Sequence, residues 1–436
     1  MNSQEEETKY DEFENMPQFQ GRHANLDLLQ GITNYGFEQP SEIQQKTIVT
    51  IYNGFNVIGQ AQSGRGKTGA FVIGSLSRID VSQNNVQVII LSNTHELATQ
   101  TFNVISSISQ RMFKDTQIEL CIGRQVSTEE NISNIRKGRS VLVGTPGRIK
   151  HLIKHQVNGK NLIDPKGVMM VVLDEADCLL MDKFQDVVID IIDTIDVPNR
   201  TRPIQLAIFS ATFSDESLSI SRKLCVPEMN NLGDEWRNDP NAPVEVLIPV
   251  EDLTLEGIEQ YYYEIDCAPR ETFDQKAEFI MALNDIQMIP MCIIYVNNKN
   301  TADRLKRCLD KSGLSSQCIY GSMTPSQRSH VTTAFRRCET RILISTDLLA
   351  RGFDVQQVEL VINFDLPYVH DRNTAEINKE KMAEYLHRIG RGGRFGRRGL
   401  AINIIASATE RTRKEAIESY FDTKINILPD DVNGLY

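Results

Sequence analysis

The chain has 436 residues, more than one compact core usually holds, so two or three domains are expected. Its composition, 40% hydrophobic and 24% charged, indicates a globular protein and excludes a disordered or fibrous one. The net charge of −11 argues only mildly against nucleic-acid binding, because basic residues cluster locally in the last third of the chain.

Short β-branched runs alternate with helical stretches along the whole chain. Such runs, buried on both faces and separated by helices, predict an α/β fold with doubly wound parallel sheets. Ligands bind beyond the carboxyl ends of the strands in these sheets, and nearly every predicted strand is followed by a polar, Gly-rich or charged cluster. The predicted strands are Asn56–Gly59, Val86–Leu91, Ser140–Gly144, Val168–Leu173, Gln205–Phe209, Met291–Val296, Gln317–Tyr320, Arg341–Ser345, Leu360–Phe364 and Ala401–Ala406.

The segment Leu232–Leu255, which is acidic and contains three prolines, separates the two series of strands. It predicts an interdomain connection, with the linker placed at 236–250. The first domain is expected over 19–235 and the second over 251–436. The acidic residues 1–18 are expected to be disordered.

The segment Ala61–Thr68, AQSGRGKT, follows a predicted strand and precedes a helical stretch. It fits the phosphate loop GxxxxGK[ST] when the first glycine is relaxed to alanine. Gly64 and Gly66 would let backbone N–H groups converge on phosphate, Lys67 would neutralise phosphate oxygens and Thr68 would bind magnesium. A plain Gly-rich turn is the alternative, which the strand and helix on either side disfavour. The expected nucleotide contacts are Ala61, Gln62, Ser63, Gly64, Arg65, Gly66, Lys67 and Thr68.

An acidic quartet, Asp174–Asp177, ends the apolar run VMMVVL. Taken alone, such a quartet is more often a solvated turn. After a phosphate loop, however, Asp174 at a strand end suits a magnesium ligand, and Glu175 can position the attacking water.

Read in order, these motifs resemble those of the DEAD-box RNA helicases. The resemblance spans nearly the whole chain beyond residue 18, and it is closest to translation initiation factor 4A and its near relatives over 252–262 and 387–403. The matching motifs are GFEQPSEIQ (36–44, within a Q motif at 17–45), AQSGRGKT (61–68), TPGR (145–148), DEAD (174–177), SAT (210–212), TDLLARGFD (346–354) and HRIGRGGR (387–394).

The resemblance implies two tandem RecA-like domains, the helicase ATP-binding domain and then the helicase C-terminal domain. It implies an RNA-stimulated ATPase that uses ATP and Mg²⁺, binds single-stranded RNA and locally unwinds short duplexes. Translation initiation or mRNA metabolism, a scaffold protein of the translation machinery as partner, a monomeric state and a cytoplasmic location are expected with it. No apolar run is long enough to cross a membrane, and the start of the chain is unlike a signal peptide.

The resemblance also implies roles in the ATP site. Phe19 would stack on adenine, Gln44 would bind its exchangeable edge and Asp354 would contact the ribose. Arg391 and Arg394 of the second domain would reach the γ-phosphate as arginine fingers, so hydrolysis would require the domains to close.

Two further groups of residues follow from the resemblance. Those that couple the ATP and RNA sites would be Asp177, Ser210, Thr212, His387 and Arg388. Those that bind RNA, mainly through phosphates and 2′-hydroxyls, would be Thr94, Gly123, Thr145, Gly147, Arg148, Arg328, Thr346 and Asp347.

Some positions depart from the family pattern. His95 stands where an arginine is expected, Arg124 where a second glycine is expected, and Pro325 where a glutamine is expected. The segment Tyr368–Leu386 is longer than in the family, and an exposed insertion is expected over 368–381. These departures lie on the RNA side, which indicates an altered RNA affinity or a divergent role.

Two other functions remain open at this point. An ATP-gated RNA clamp with little turnover is disfavoured by the intact Glu175, Arg391 and Arg394. A DNA helicase of the same superfamily is disfavoured by the Q motif and by DEAD together with SAT. The eight cysteines stand singly without a zinc-like spacing, so free buried thiols are expected.

Overall fold

The computed structural model describes residues 10–22, 25–62, 64–113, 117–123, 125–198, 203–247, 258–286, 288–346, 358–368, 379–390 and 399–429. The chain divides into two compact units, Met1–Leu247 and Ile248–Tyr436. Among the described residues, no helix is both long and apolar enough to cross a bilayer.

The first unit is built on a seven-stranded parallel sheet with a small antiparallel hairpin beside it. Its strands are β1 (Val57–Gln60), β2 (Val88–Ser92), β3 (Ile118–Cys121), β4 (Val141–Gly144), β5 (Gln156–Val157), β6 (Lys160–Asn161), β7 (Met170–Asp174), β8 (Gln205–Ser210) and β9 (Val244–Val246). The order across the sheet is β3-β4-β2-β7-β8-β1-β9, and β5 and β6 form the hairpin.

Helices connect the strands of the first unit. They are α1 (Leu26–Tyr35), α2 (Glu42–Tyr52), α3 (Lys67–Leu76), α4 (His95–Ile108), α5 (Thr128–Arg136), α6 (Pro146–Ile153), α7 (Ala176–Leu179), α8 (Asp182–Ile195), α9 (Asp215–Cys225) and α10 (Met229–Leu232). Short 3-10 helices lie at Phe13–Asn15, Pro17–Phe19, Pro165–Gly167 and Gly233–Asn238.

The second unit has its own seven-stranded parallel sheet. Its strands are β10 (Ile258–Glu264), β11 (Cys292–Tyr295), β12 (Ser316–Ile319), β13 (Ile342–Ser345), β14 (Leu360–Asn363), β15 (Gly399–Ile405) and β16 (Asn426–Ile427), in the order β12-β13-β11-β14-β15-β10-β16. Its helices are α11 (Thr272–Ile286), α12 (Lys299–Lys311), α13 (Pro325–Arg336), α14 (Lys379–Ile389) and α15 (Ala408–Tyr420).

The two sheets share one topology. When the seven strands of each sheet are numbered along the chain, both have the order 3-4-2-5-6-1-7. All ten strands predicted from the sequence overlap an observed strand, and β1, β2, β4, β7 and β8 are buried throughout, as apolar runs in a covered parallel sheet require. The predicted fold class, two tandem doubly wound parallel-sheet domains, is confirmed.

Packing on the two faces of the first sheet places α3 next to the strands that carry the motifs. One face forms an apolar cluster that includes Ile89, Leu173 and Ile208. On the other face, Phe71 of α3 contacts Phe209, with ring centroids 5.6 Å apart. The helix that follows the phosphate loop is therefore anchored directly on the sheet.

Two predicted boundaries need correction. The segment 236–246, predicted as linker, belongs to the first unit, because Val244 pairs with Val57 at the sheet edge and Trp236 is buried. Residues 10–18, predicted as disordered, contain the buried side chains Phe13 and Met16, and Phe13 stacks on Phe37. Both segments are stabilised by contacts with distant residues, which local composition does not reveal.

All eight cysteines are free, as expected, but burial varies among them. The four buried thiols are Cys121, Cys225, Cys292 and Cys318, whereas Cys338 is exposed. The expectation of buried thiols therefore holds for half of them.

Candidate active site

The loop after β1 has the backbone of a phosphate-binding turn. Gly64 and Gly66 adopt the left-handed conformation, with φ of 83° and 97°, which side chains disfavour. Gly66 caps α3, whose first residue is Lys67. The buried Lys67 ammonium donates to the carbonyl oxygen of Ala61 at 2.6 Å. A cation and a helix N-terminus therefore meet in one loop, which is the arrangement that binds phosphate.

The amide of Gln44 is bound at both ends. Its Oε1 accepts from the backbone N–H of Ser41 at 2.9 Å, and its Nε2 donates to the Gly66 carbonyl at 3.0 Å. A Cβ on Gly69 would stand 2.4 Å from this Nε2, so a larger residue there would displace the amide of Gln44. Phe19 is buried in a 3-10 helix that packs against α2. The structure thus brings Gln44 to the phosphate loop, and Phe19 to the helix that carries Gln44.

The acidic quartet begins at the carboxyl end of β7. Asp174 and Glu175 are 2% and 4% exposed. Among the described residues, Asp174 Oδ2 and Glu175 Oε2 have no hydrogen-bond partner. Glu175 also has a positive φ of 55°, a strained conformation for a side-chain-bearing residue. Buried carboxylates without partners are costly, so their retention here indicates a function.

Burial controls the charge of Asp174. The pKa of this carboxyl is raised from 3.8 to about 7, mainly by loss of hydration and also by the neighbouring Glu175 and Asp177, while Lys67 acts to lower it. A cation that prefers oxygen ligands would satisfy the carboxylates of Asp174 and Glu175. Mg²⁺ is bound by one or two carboxylates together with water and phosphate oxygens, so these residues fit that ion.

The SAT motif at the end of β8 lies between the phosphate loop and the acidic quartet. Strand β8 lies between β7 and β1, and the Ser210 carbonyl accepts from the Ala61 N–H at 3.2 Å. Thr212 Oγ1 donates to Asp177 Oδ2 at 3.1 Å. The Ser210 hydroxyl accepts from the Thr212 N–H at 3.4 Å, within its own segment. The SAT segment therefore contacts both the phosphate loop and the acidic quartet.

The predicted RNA-facing residues of the first unit lie at strand ends and helix starts. Thr94 caps α4 and accepts from the Leu97 N–H at 3.2 Å. Thr145 precedes α6 without a side-chain capping bond, and its N–H donates to the Cys121 carbonyl at 3.2 Å. A Cβ on either Gly123 or Gly147 would meet no atom of the described residues within 4 Å. These two glycines therefore face open space, where a nucleic-acid backbone can approach.

Arg148 is held by protein groups. Its Nη1 donates to the Val126 carbonyl at 3.0 Å and to Asn131 Oδ1 at 2.7 Å. Asn131 donates in turn to the buried Glu119. The sequence pattern singled out Arg148 and missed the two residues behind it, because Glu119 and Asn131 belong to no recognisable motif.

Arg388 of the second unit is fully buried. Its Nη1 donates to the Asp365 carbonyl at 2.6 Å, and its Nη2 to Asn297 Oδ1 at 3.0 Å. Asn297 and Asp365 follow β11 and β14, so Arg388 ties together the loops at the carboxyl edge of this sheet. His387, beside it on α14, is 1% exposed.

The remaining predicted residues of the second unit are only partly described. Thr346 follows β13, and its N–H donates to the Ile319 carbonyl at 3.3 Å. Arg328 lies in the first turn of α13 and is half-buried. Most of the predicted insertion at 368–381 is outside the described residues, and α14 begins within it at Lys379. The predicted site residues outside the described part of the chain are Ser63, Asp347, Asp354, Arg391 and Arg394.

A second buried cluster was not foreseen. Lys276, 2% exposed, donates to Glu410 Oε1 at 2.6 Å and to the Phe364 carbonyl at 2.6 Å. Asp365 lies 3.8 Å from the same ammonium. A lysine within a helix gives no sequence signal of such burial.

Comparison with protein families gives two matches. Residues 41–220 match the family described as DEAD/DEAH box helicase. Residues 275–396 match the helicase conserved C-terminal domain. The two matches fall in the two structural units.

Curated proteins and solved structures extend the similarity to nearly the full chain. The ATP-dependent RNA helicase FAL1 of Meyerozyma guilliermondii is 37% identical over 96% of this chain and 94% of its own. The ATP-dependent RNA helicase eIF4A of Yarrowia lipolytica is 38% identical over 98% and 96%. The structure of S. cerevisiae Dbp5 bound to RNA and ADP BeF3 superposes with a TM-score of 0.77 at 29% identity, covering 93% of this chain and 94% of that one.

Proposed function

The chain belongs to the DEAD-box family and is an ATP-dependent RNA helicase with two RecA-like domains, and on this premise we propose that it is an RNA-stimulated ATPase that locally unwinds short duplexes. The observation that carries the proposal is the buried pair Asp174 and Glu175 beside the phosphate-loop Lys67, since one oxygen of each carboxylate has no hydrogen-bond partner within the described ranges. A protein that only bound nucleotide as a static clamp would have no use for the second carboxylate.

The nucleotide is bound by the loop after β1. Lys67 exchanges its bond to the Ala61 carbonyl for the phosphate oxygens, and the N–H groups at the start of α3 bind the same phosphates. Gln44 reads the adenine edge and Phe19 stacks on the ring. Because Gln44 already bonds the Gly66 carbonyl, adenine binding is linked to the conformation of the phosphate loop.

Thr68 and Asp174 would hold Mg²⁺, which supplies positive charge to the phosphate oxygens when bound. The residues of the chain perform the rest. Glu175 is buried, and its Oε2 has no hydrogen-bond partner in the described part of the chain, so it orients the attacking water and accepts its proton. The hydrogen bond from Thr212 to Asp177 couples the conformation of the acidic quartet to that of the SAT segment.

RNA is bound by its backbone. In the first unit, the open positions of Gly123 and Gly147 admit a phosphate to the start of α6, and Thr94 and Thr145 stand at neighbouring strand ends. In the second unit, Thr346 follows β13 and Arg328 lies in the first turn of α13. Arg388 organises the loops at the carboxyl edge of that sheet.

Arg391 and Arg394 are proposed as the arginine fingers that complete the hydrolytic site, with Asp354 on the ribose. A finger contributes roughly 10³–10⁵ in rate in related nucleotide hydrolases. Loss of either arginine is therefore expected to abolish most turnover.

For the cellular role, we propose translation initiation in the cytoplasm, with a monomer that works beside a scaffold protein. The 38% identity to eIF4A supports this role, and the nearly equal 37% identity to FAL1 supports another process of RNA metabolism. Rescue of translation in an extract depleted of its own eIF4A distinguishes the two.

The deciding experiment measures ATP turnover with and without single-stranded RNA. We expect strong stimulation by RNA, none by DNA of the same sequence, and no activity in Lys67→Ala. Glu175→Gln should still bind Mg·ATP and should hold RNA while turning over at least about 100-fold more slowly, because its shape is kept and its charge is lost. Turnover in the wild type that ignores RNA, or unchanged turnover in Glu175→Gln, would overturn the proposal.

A further inference from the structure

A chain of buried polar side chains lies behind the proposed RNA site of the first unit. It begins at Glu119 on β3, a residue that is 6% exposed. Oε1 accepts from Asn131 Nδ2 at 2.7 Å and from Asn134 Nδ2 at 3.2 Å, and Oε2 accepts from Arg139 Nε at 3.3 Å. The carboxylate is thus satisfied by three donors from α5 and the segment that follows it, so its place is fixed.

The next member is Asn131, which is fully buried. Its Nδ2 donates to Glu119 and also to the Leu120 carbonyl at 3.0 Å. A carboxylate can only accept hydrogen bonds, so Glu119 forces the amino group of Asn131 toward itself. The amide oxygen of Asn131 is consequently turned toward Arg148, from which it accepts at 2.7 Å.

Arg148 is the last member, and it joins two segments of the proposed RNA site. Its Nη1 is held by Asn131 and by the Val126 carbonyl, and Val126 is three positions beyond Gly123 in the sequence. Within the described residues, no protein group binds its other guanidinium nitrogens. Because Asn131 and the Val126 carbonyl are uncharged, the positive charge of Arg148 is not neutralised by an acid and stays available to a phosphate.

We propose that Glu119 is a positioning residue for RNA binding, which acts through Asn131 to fix the guanidinium of Arg148 between the segment at Val126 and the start of α6. This inference rests on the proposed function, since it assumes that these two segments bind the RNA backbone. Glu119 does not contact RNA itself, and Arg139 keeps its buried charge compensated.

The proposal predicts an effect of unusual sign. A carboxylate near an RNA site repels phosphates. If Glu119 acted only through its charge, its removal should therefore tighten RNA binding. If Glu119 positions Arg148, removing it should weaken binding instead. Glu129, an exposed carboxylate in the first turn of the same helix α5, provides the matched control for bare charge.

The test measures the affinity of the full chain for a fluorescein-labelled oligouridine in the presence of a non-hydrolysable ATP analogue. Glu119→Ala should raise the Kd about tenfold, as the loss of an ordered charge-assisted bond does. Glu119→Gln should stay within about threefold of the wild type, because its Oε1 can still accept from Asn131. Glu129→Ala should leave the Kd unchanged or lower it up to about twofold.

Two further measurements separate positioning from damage to the fold. In an Arg148→Ala background, Glu119→Ala should add less than about twofold, since both act through one guanidinium. In the ATPase assay, the RNA concentration for half-maximal stimulation should rise more than the rate at saturating RNA falls. Asn131→Ala interrupts the same chain in its middle and decides the question if Glu119→Ala does not fold.

Tighter or unchanged RNA binding in Glu119→Ala would overturn the proposal, as would an undiminished effect in the Arg148→Ala background. If the wild type itself fails to bind the oligouridine, the proposed function falls and this inference falls with it. If the wild type binds and the Glu119 and Asn131 variants equal it, the inference alone is wrong.

Discussion

At the scale of single residues, the candidate site is identified by groups whose bonding is incomplete. Asp365 and Asp174 both lie at or just beyond the fifth strand of their sheets. Asp365 accepts from the Asn297 N–H at 2.9 Å and faces Lys276, so it stabilises its loops. Asp174 Oδ2 has no such partner among the described residues. The same place in the fold therefore holds a carboxylate bonded by protein groups in one unit and the proposed Mg²⁺ ligand in the other.

The burial of Asp174 lowers the free energy of unfolding by an amount that can be measured. Burial raises the pKa of Asp174 from 3.8 to about 7, so between these values the folded state keeps a proton that the unfolded state releases. Stability is therefore lost as the pH rises through this window, and the loss is complete above it. Asp174→Asn, which has no charge, should be more stable than the wild type by roughly 1–3 kcal/mol near pH 8.

Urea unfolding of the ligand-free protein tests this expectation. Trp236 is the one tryptophan of the chain and is buried in the first unit, so its fluorescence reports on the unit that holds Asp174. At about pH 4 the two proteins should be nearly equal in stability, because Asp174 is then protonated in the fold. A stability difference that does not change with pH would contradict the assigned cause.

At the scale of elements, close contacts between helices and strands fix the position of the site. A Cβ on Gly31 of α1 would stand 1.8 Å from the Ile108 carbonyl oxygen of α4. Strand β8 joins the phosphate loop to the acidic quartet through its neighbours β1 and β7. The site is thus as rigid as the packing of the elements that carry it.

Two glycines of the first unit should separate stability from binding. Gly31→Ala should destabilise this unit by about 2–4 kcal/mol, because α1 must move away from α4. Gly147→Ala meets no atom within 4 Å, so it should leave stability unchanged and weaken RNA binding. Urea unfolding and RNA binding, measured on both variants, check the pair; a loss of stability in Gly147→Ala would show that this position is packed.

At the scale of the whole molecule, the same topology is used twice for different tasks. Both sheets have the order 3-4-2-5-6-1-7, and so both present their strand-end loops at one edge. In the first unit the loop after the first strand is the Gly-rich AQSGRGKT, whereas β10 in the second is followed by IDCAPRE. The Gly-rich phosphate-loop motif therefore follows the first strand of the first unit, and the equivalent strand β10 of the second unit is followed by a segment without that motif.

If ATP and RNA act on one conformational equilibrium, their binding must be coupled reciprocally. We expect RNA to tighten the affinity for a non-hydrolysable ATP analogue by the same factor by which the analogue tightens RNA binding. Arg394→Ala should remove this coupling while each ligand still binds alone, because its proposed contact is with the γ-phosphate. Two titrations of each ligand measure the factor; unequal factors, or coupling that survives in Arg394→Ala, would exclude the mechanism.

The sequence by itself determined the fold class, ten of the strands and the strand-end motifs. These features depend on local sequence. Apolar runs predict the buried strands, and glycines and charged clusters at fixed spacing predict the loops that follow them. The phosphate loop is recognisable in this way because its chemistry is carried by consecutive residues.

Only the tertiary structure decided which polar groups are satisfied. It closed the sheet edge with Val244, turned Asn131 toward Glu119, buried Arg388 against the loops of its sheet, and left Asp174 Oδ2 without a hydrogen-bond partner among the described residues. The physical reason is that hydrogen bonding and burial depend on residues far apart in the chain, which no local pattern contains. Function at this site therefore follows from what the fold leaves unpaired as much as from the motifs.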